Sequence, residues 1–121
     1  MKNGSKWFVS IGLLVLAVLC AGSTAIAQDT IKVGVVGPRT GTAAATGTAF
    51  QEGIQLAVEH VNAHGGVLGK KLEIVFEDTA GAPDVAASGF ERLVTRDKVV
   101  MVLGESHSSS ALAEIEVANR L

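Results

Sequence analysis

Three short runs rich in β-branched and aliphatic residues, at 31–36, 71–78 and 99–104, alternate with stretches of helical period. That alternation restricts the fold more than any other feature of the chain. Strands that alternate with helices form a parallel sheet whose crossovers carry helices onto its faces. Those crossovers are right-handed, so few windings remain. The expected class is therefore α/β, a doubly wound, Rossmann-like parallel sheet whose strand order begins 2-1-3. In such a sheet, ligands sit outside the carboxyl ends of the strands, where the strand order reverses. The two loops bordering that crevice are residues 37–47, after strand one, and 105–110, after strand three.

Each element carries its own signals. Strand one, Ile31-Lys32-Val33-Gly34-Val35-Val36, stops at Gly37-Pro38, because proline cannot continue a central strand. The first helix is predicted over about residues 48–64. Phe50, Ile54, Ala57, Val58 and Val61 form its apolar stripe, and Gly65-Gly66 ends it. In strand two, residues 71–78, Leu72, Ile74 and Phe76 alternate with Glu73, Val75 and Glu77, which predicts one less buried face. Pro83 and Asp84 open a second helix over about 83–96. Val99-Val100-Met101-Val102-Leu103 reads as a strand buried on both faces. The third helix follows, with Ser108, Ser109 or Ser110 available as N-cap. The chain reaches Leu121 inside that helical period without a glycine stop, so it reads as part of a longer one.

A separate signal precedes the first strand. Lys2 and Lys6 flank the start of an apolar run, residues 7–19, which is shorter than the roughly 20 residues a membrane span needs. Ala25-Ile26-Ala27 then forms a cleavage pattern with Gln28 as the new N-terminus. The expected division is a signal peptide over 1–27 and a partial ligand-binding domain over 28–121. Cys20, the single cysteine, follows Leu19 where a lipoprotein signal has a small residue, which argues against lipid attachment. Cleavage would leave no thiol, so neither disulfide nor thiol catalysis is expected. Without Lys2 and Lys6, eight basic residues face twelve acidic ones, a net charge of −4. That balance gives no electrostatic footprint for nucleic acid.

Several catalytic patterns fail on detail. Gly104-Glu105-Ser106-His107-Ser108 has the strand-then-serine form of a nucleophile elbow, but its last position is not glycine. A triad base would also come from a distant loop, not from the neighbouring residue. A serine hydrolase is thus the least favoured reading. Residues 65–71 lack the first glycine and the Ser/Thr of a phosphate loop, and Gly34, Gly37 and Gly41 miss the dinucleotide spacing. His60 and His64 are four apart, as metal ligands can be, but no H-E-x-x-H surrounds them. They read as histidines at a helix C-terminus, and no metal or cofactor is expected. Ser108-Ser109-Ser110 is different. Free N–H groups at a helix start, together with hydroxyls, can hold a carboxylate; a plain N-cap is the competing reading.

Residues 31–38, followed by Gly41 and Gly47, resemble the opening of type I periplasmic binding proteins. Asn62-Ala63-His64-Gly65-Gly66, then Gly69-Lys70-Lys71, is similar to the family's most specific stretch, and Gly104 followed by Ser108 resembles its post-strand binding loop. The likeness is closest to the branched-chain amino acid (Leu/Ile/Val) receptors of ABC transporters. It implies a partial N-terminal lobe of a bilobed protein whose lobes close on a ligand. It further implies a monomeric periplasmic receptor without enzymatic activity. The ligand would be an amino acid or related carboxylate, and the partner an inner-membrane permease. Ser108 would hold the ligand's α-carboxylate or α-ammonium, with Ser106 and Ser109 as neighbouring contacts. Thr46 stands where the family often places an aromatic wall. From position alone, Arg39 could attract an anionic ligand or be a solvated loop charge. A ligand-sensing domain of a signalling protein with this fold remains the alternative.

Overall fold

The computed structural model describes residues 30–121; the leader, with Cys20, Ala27 and Gln28, lies outside them. The order is β1 (Thr30–Gly37), α1 (Ala44–Ala63), β2 (Lys71–Asp78), α2 (Pro83–Thr95), β3 (Met101–Leu103) and α3 (Ser108–Ala118). The strands form one parallel sheet, as the alternation implies, in the expected order β2-β1-β3. β1 is central: Val33 stands between Ile74 and Met101, and Val35 between Phe76 and Leu103. Its inner residues are accordingly the most buried of the sheet, with Val35 and Val36 fully enclosed. Among the described residues no helix is long and apolar enough to cross a membrane.

The two faces are covered differently. α2 and α3 pack on each other over one face, where Leu93, Ala86 and Val36 form the core with Val75, Val99 and Val102 against it. Full burial of a leucine such as Leu93 contributes about 1.5–3 kcal/mol. The approach of α2 depends on Gly34, since a Cβ there would come 2.9 Å from Leu93 Cδ1. The expected weaker face of β2 is this covered one. Val75 joins the core, and Glu77 accepts two hydrogen bonds from Arg92 of α2, at 2.7 and 3.1 Å. α1 lies over the other face. Its Ile54, Ala57, Val58 and Val61 border an open apolar groove of about 210 Å3 with Val33, Leu72, Ile74, Met101 and Leu103.

Two expectations need correction. β3 is shorter than the apolar run and is not buried on both faces: Val100 is 70% and Met101 50% exposed. No strand among the described residues lies outside it, so its far flank meets no partner. α1 begins at Ala44 rather than near Thr48, which makes Thr46 and Gly47 helical residues instead of loop. The Ala43-Ala44-Ala45 run explains this, alanine being the strongest helix former. At the other end of α1, Asn62 ties helix to strand: its Nδ2 donates to the Leu72 carbonyl at 2.9 Å, and its Oδ1 accepts from the Leu72 N–H at 2.8 Å. Gly65 and Gly66, both at positive φ, turn the chain between these points.

Gly47 sits against the Pro38 carbonyl so closely that a Cβ would overlap it, whereas Gly53, two turns on, faces open space. Glycine inside a helix costs about 1 kcal/mol relative to alanine. Gly53→Ala is therefore expected to stabilise the protein by about 0.5–1 kcal/mol. Gly47→Ala should destabilise it by about 1–3 kcal/mol, because backbone must move. Denaturant titration of both variants checks this; equal shifts would show that Pro38 and α1 are not in contact.

Candidate functional site

In a parallel α/β unit every helix starts at the carboxyl edge of the sheet, and here the three helix starts meet there without side-chain caps. No side-chain hydrogen bond caps α1, α2 or α3. α2 has Asp84 in its first turn, which complements the positive helix end. α1 and α3 have no acid in that turn, although Glu105 stands two residues before the α3 N-cap. The N-cap of α3 is His107, not one of the serines; Ser108, Ser109 and Ser110 fill its first turn. The Ala111 N–H is bonded to the His107 carbonyl at 2.9 Å. Ser108 and Ser109 are exposed, while Ser110 is fully buried beneath the helix.

Buried polar groups join the loops at this edge. Asp78, the last residue of β2, accepts at Oδ1 from the N–H groups of Arg39 (2.7 Å), Ala80 (3.0 Å) and Thr40 (3.3 Å). Its Oδ2 accepts from Thr40 Oγ1 at 2.9 Å. Gly41 lies across this junction at φ 79°, where a Cβ would come 2.9 Å from the Ala80 carbonyl. Partial burial raises the Asp78 pKa, but the bonds from Ala80, Arg39 and Thr40 outweigh that, and the net shift is below its ordinary value. Next to it, buried Thr79 donates its hydroxyl to Glu105 Oε2 at 2.8 Å. Glu105 Oε1 accepts from the Ser106 N–H at 2.7 Å and, more weakly, from the His107 N–H at 3.3 Å. One polar chain thus links the loops after β1, β2 and β3.

The structure brings some of the sequence-selected residues together. Thr46 on α1 and Ser106 after β3 share a depression of about 120 Å3 with Phe50, Gly104 and Glu105. Ser108 and Ser109 follow at the start of α3. Arg39 faces elsewhere: its guanidinium lies 5.2 Å from the Phe76 ring centre, and it borders a different surface depression beside Thr48, Gln51 and Glu52. Phe50 was assigned to the core stripe by its spacing. It is instead 40% exposed and lines the depression, one turn after Thr46. Glu105 escaped notice because its partner Thr79 is 26 residues away in sequence.

The hydroxyl and imidazole of the Ser-His pair do meet, with Ser106 Oγ 3.3 Å from His107 Nδ1. Glu105 Oε1 approaches that same nitrogen, at 3.5 Å. A catalytic relay needs serine and acid on opposite ring nitrogens, so this cluster is not arranged as a triad. The rings of His60 and His64 meet at a tilt of 42° with centres 4.4 Å apart, and among the described residues no group of three or more His, Cys, Asp or Glu gathers around a metal position.

Comparison with known proteins follows the same lines. The periplasmic binding protein family profile matches residues 30–120. An amino acid binding protein of Pseudomonas aeruginosa is 38% identical over 114 residues, covering 93% of this chain and 30% of that protein. Among solved structures, the branched-chain amino acid transporter substrate binding protein LivJ of Streptococcus pneumoniae, in complex with isoleucine, superposes with a TM-score of 0.73 at 41% identity. It covers 76% of this chain and 26% of that one. A solute binding protein of an ABC transporter from Rhodopseudomonas palustris, in complex with 3,4-dihydroxybenzoic acid, gives 0.67 at 34% identity, covering 75% and 24%. The chain therefore spans about 30% of the length of the curated relative.

Asp78→Ala should loosen the loop after β1 and cost about 1.5–3 kcal/mol, the range for hydrogen bonds to a charged acceptor. The folded carboxyl titrates below its ordinary value of 3.8. Its contribution is therefore present above that pH and is lost as the pH falls through the lower folded value. Urea titrations of wild type and variant should differ near neutrality and draw together as the pH falls below the ordinary carboxyl range; a gap independent of pH would assign the loss to packing instead.

Proposed function

This chain belongs to the periplasmic binding protein family, and on that premise we propose that the intact protein is the extracytoplasmic substrate-binding component of an ABC importer. Its ligand is a branched-chain or other small amino acid, which it delivers to a permease in the inner membrane. It works by binding and closure, without bond chemistry, as a monomer in the periplasm after removal of residues 1–27. The mature protein continues beyond the partial lobe of residues 28–121, and a second lobe covers the ligand from the opposite side.

The observation that carries this reading is the start of α3. Its first turn has exposed Ser108 and Ser109, no side-chain cap and no acid, and it opens at the carboxyl edge beside β1, where a doubly wound sheet takes its ligand. Free helix-start N–H groups with hydroxyls beside them suit a carboxylate, and a helix start needs no lysine or arginine to hold one. Ser108 takes the ligand's polar head, with Ser109 and the backbone at Ser106 as secondary contacts. Thr46 and Phe50 form the wall for the ligand's side chain, Phe50 supplying the apolar surface one turn beyond Thr46. Arg39 acts at longer range, as a positive charge at the same edge. Relatives crystallised with isoleucine and with a dihydroxybenzoate have a carboxylate in common as ligand chemistry, and an amino acid agrees with the naming of the curated relative.

The test is calorimetry on the intact protein with a panel of amino acids and aromatic carboxylates. Ser108→Ala should weaken the best ligand by about 1–3 kcal/mol, a loss of roughly five- to a hundred-fold in affinity, because a buried polar group of the ligand loses its partner. Unchanged affinity in that variant would remove Ser108 from the site, and failure of every panel member to bind would remove the receptor reading.

A further inference from the structure

Beneath the loop after β3 lies a second carboxyl group that the binding role leaves unused. Glu114, one turn after Ser110 on the inner side of α3, is only 7% exposed. Its Oε2 lies so near the strand end that a Cβ at Gly104 would come within 2.9 Å of it, and within 3.6 Å of Val36 Cβ. Among the described residues, neither Glu114 Oε1 nor Ser110 Oγ has a hydrogen-bond partner, although both are buried. Glu105 is the next residue along from Gly104, and its side chain is fully buried as well. Two buried carboxyl groups thus stand at the root of the loop, Glu114 against Gly104 and Glu105 on the next residue, and Glu105 accepts from Thr79, Ser106 and His107.

We propose that Glu105 is a positioning residue that sets the direction of the ligand loop, and that its hold depends on a proton carried by Glu114. With Glu114 neutral, Glu105 is the single charge of the pair and keeps the N–H groups of Ser106 and His107 in place, which aims the start of α3 at the ligand. With Glu114 ionised, two like charges share a buried site, and the loop gives way. The inference rests on the receptor reading for what the loop holds, but the carboxyl pair can be tested without any ligand.

Electrostatics supports the geometry. Burial, and secondarily the charge of Glu105, push Glu114 up to about 7 from its ordinary 4.5. The other charged groups on the elements around α3 are engaged or turned away. Arg92 of α2 is paired with Glu77, Asp84 and Glu91 of α2 and Glu116 of α3 are exposed, and Asp78 is bound to the loop after β1. His107 is the titratable group in contact with Glu105, at 3.5 Å. The strand end beneath contributes Val36, which has no charge.

The sign of the pH effect follows from linkage. Between its ordinary pKa and about 7, the folded protein holds a proton that the unfolded chain has released. Stability is therefore lost as the pH rises through that window and levels off above it. Melting temperatures of the intact protein without ligand should fall from about pH 5 to about pH 8, and Glu114→Gln should flatten that slope. Glu105→Gln keeps an acceptor for the loop but removes the neighbouring charge, so it should move the transition to lower pH. Ligand affinity should fall over the same pH range in wild type and stay constant in Glu114→Gln. Glu105→Ala should weaken binding at about pH 5 by roughly tenfold or more, with Glu105→Gln restoring most of it. An unchanged slope in Glu114→Gln would overturn the proton-dependent hold, and wild-type affinity in Glu105→Ala would overturn the positioning role. Should no ligand bind at any pH, the receptor reading and the loop's aim would fall together, while the melting curves would still decide the carboxyl pair.

Discussion

The hydrogen-bond chain from Asp78 through Thr79 to Glu105 is the constraint on which the site depends. Loops at the carboxyl edge of a parallel sheet have no ladder of their own, and their backbone donors need partners once water is excluded. Asp78 supplies partners for the loop after β1, and Glu105 for the loop after β3. Thr79 connects the two, donating to Glu105 while its own N–H goes to the Gly37 carbonyl at 3.1 Å. Asp78 and Thr79 stand at the end of β2 and reach the loops after β1 and β3 respectively, so the three strand ends are tied together. Placement of β1 between β2 and β3 makes this possible, because it brings the three strand ends side by side.

The same arrangement divides the helix-start donors at this edge into two groups. Those just before α3, on Ser106 and His107, are taken by an internal carboxylate. Those within its first turn, from Ser108 onward, have no side-chain cap. Glu105 therefore acts as a built-in anion that fills the inner part of a positive site and leaves the outer part for something else. An internal negative charge so near also limits how strongly the remaining donors attract a second anion. A ligand with a positive group beside its carboxylate would suffer less from that repulsion than a simple acid, which favours a zwitterion on electrostatic grounds.

How much of this could be read from the chain varies with the range of the interactions. β2 was legible to its ends, because Lys71 and Asp78 bracket an alternating run and the following Gly-Ala-Pro breaks it. The parallel sheet followed from alternation, whereas handedness allows a 1-2-3 order as readily as the observed 2-1-3. The start of α1 was not legible, since a run of Ala, Thr and Gly suits both a loop and a first turn, and contact with the Pro38 carbonyl decides the matter. Burial of β3 is not legible, because an apolar run reports what a strand can tolerate, not what lies beside it. Phe50 fits the stripe of Ile54 and Val58 by spacing, yet it lines the depression with Gly104, Glu105 and Ser106 at the end of β3. The role of Glu105 needed a partner 26 residues away, a distance at which no local pattern speaks.

Size decides what this lobe can do by itself. Pockets that hold small ligands usually enclose about 300–1,000 Å3 and cover most of the ligand. The depression between Thr46, Phe50 and Ser106 holds about 120 Å3, less than that range. An amino acid placed there would have its carboxylate on the start of α3 and much of its remaining surface in water. Polar contacts alone, each worth about 1 kcal/mol net, could not offset the entropy lost on capture. Tight binding under the receptor reading therefore requires a second surface that buries the exposed half.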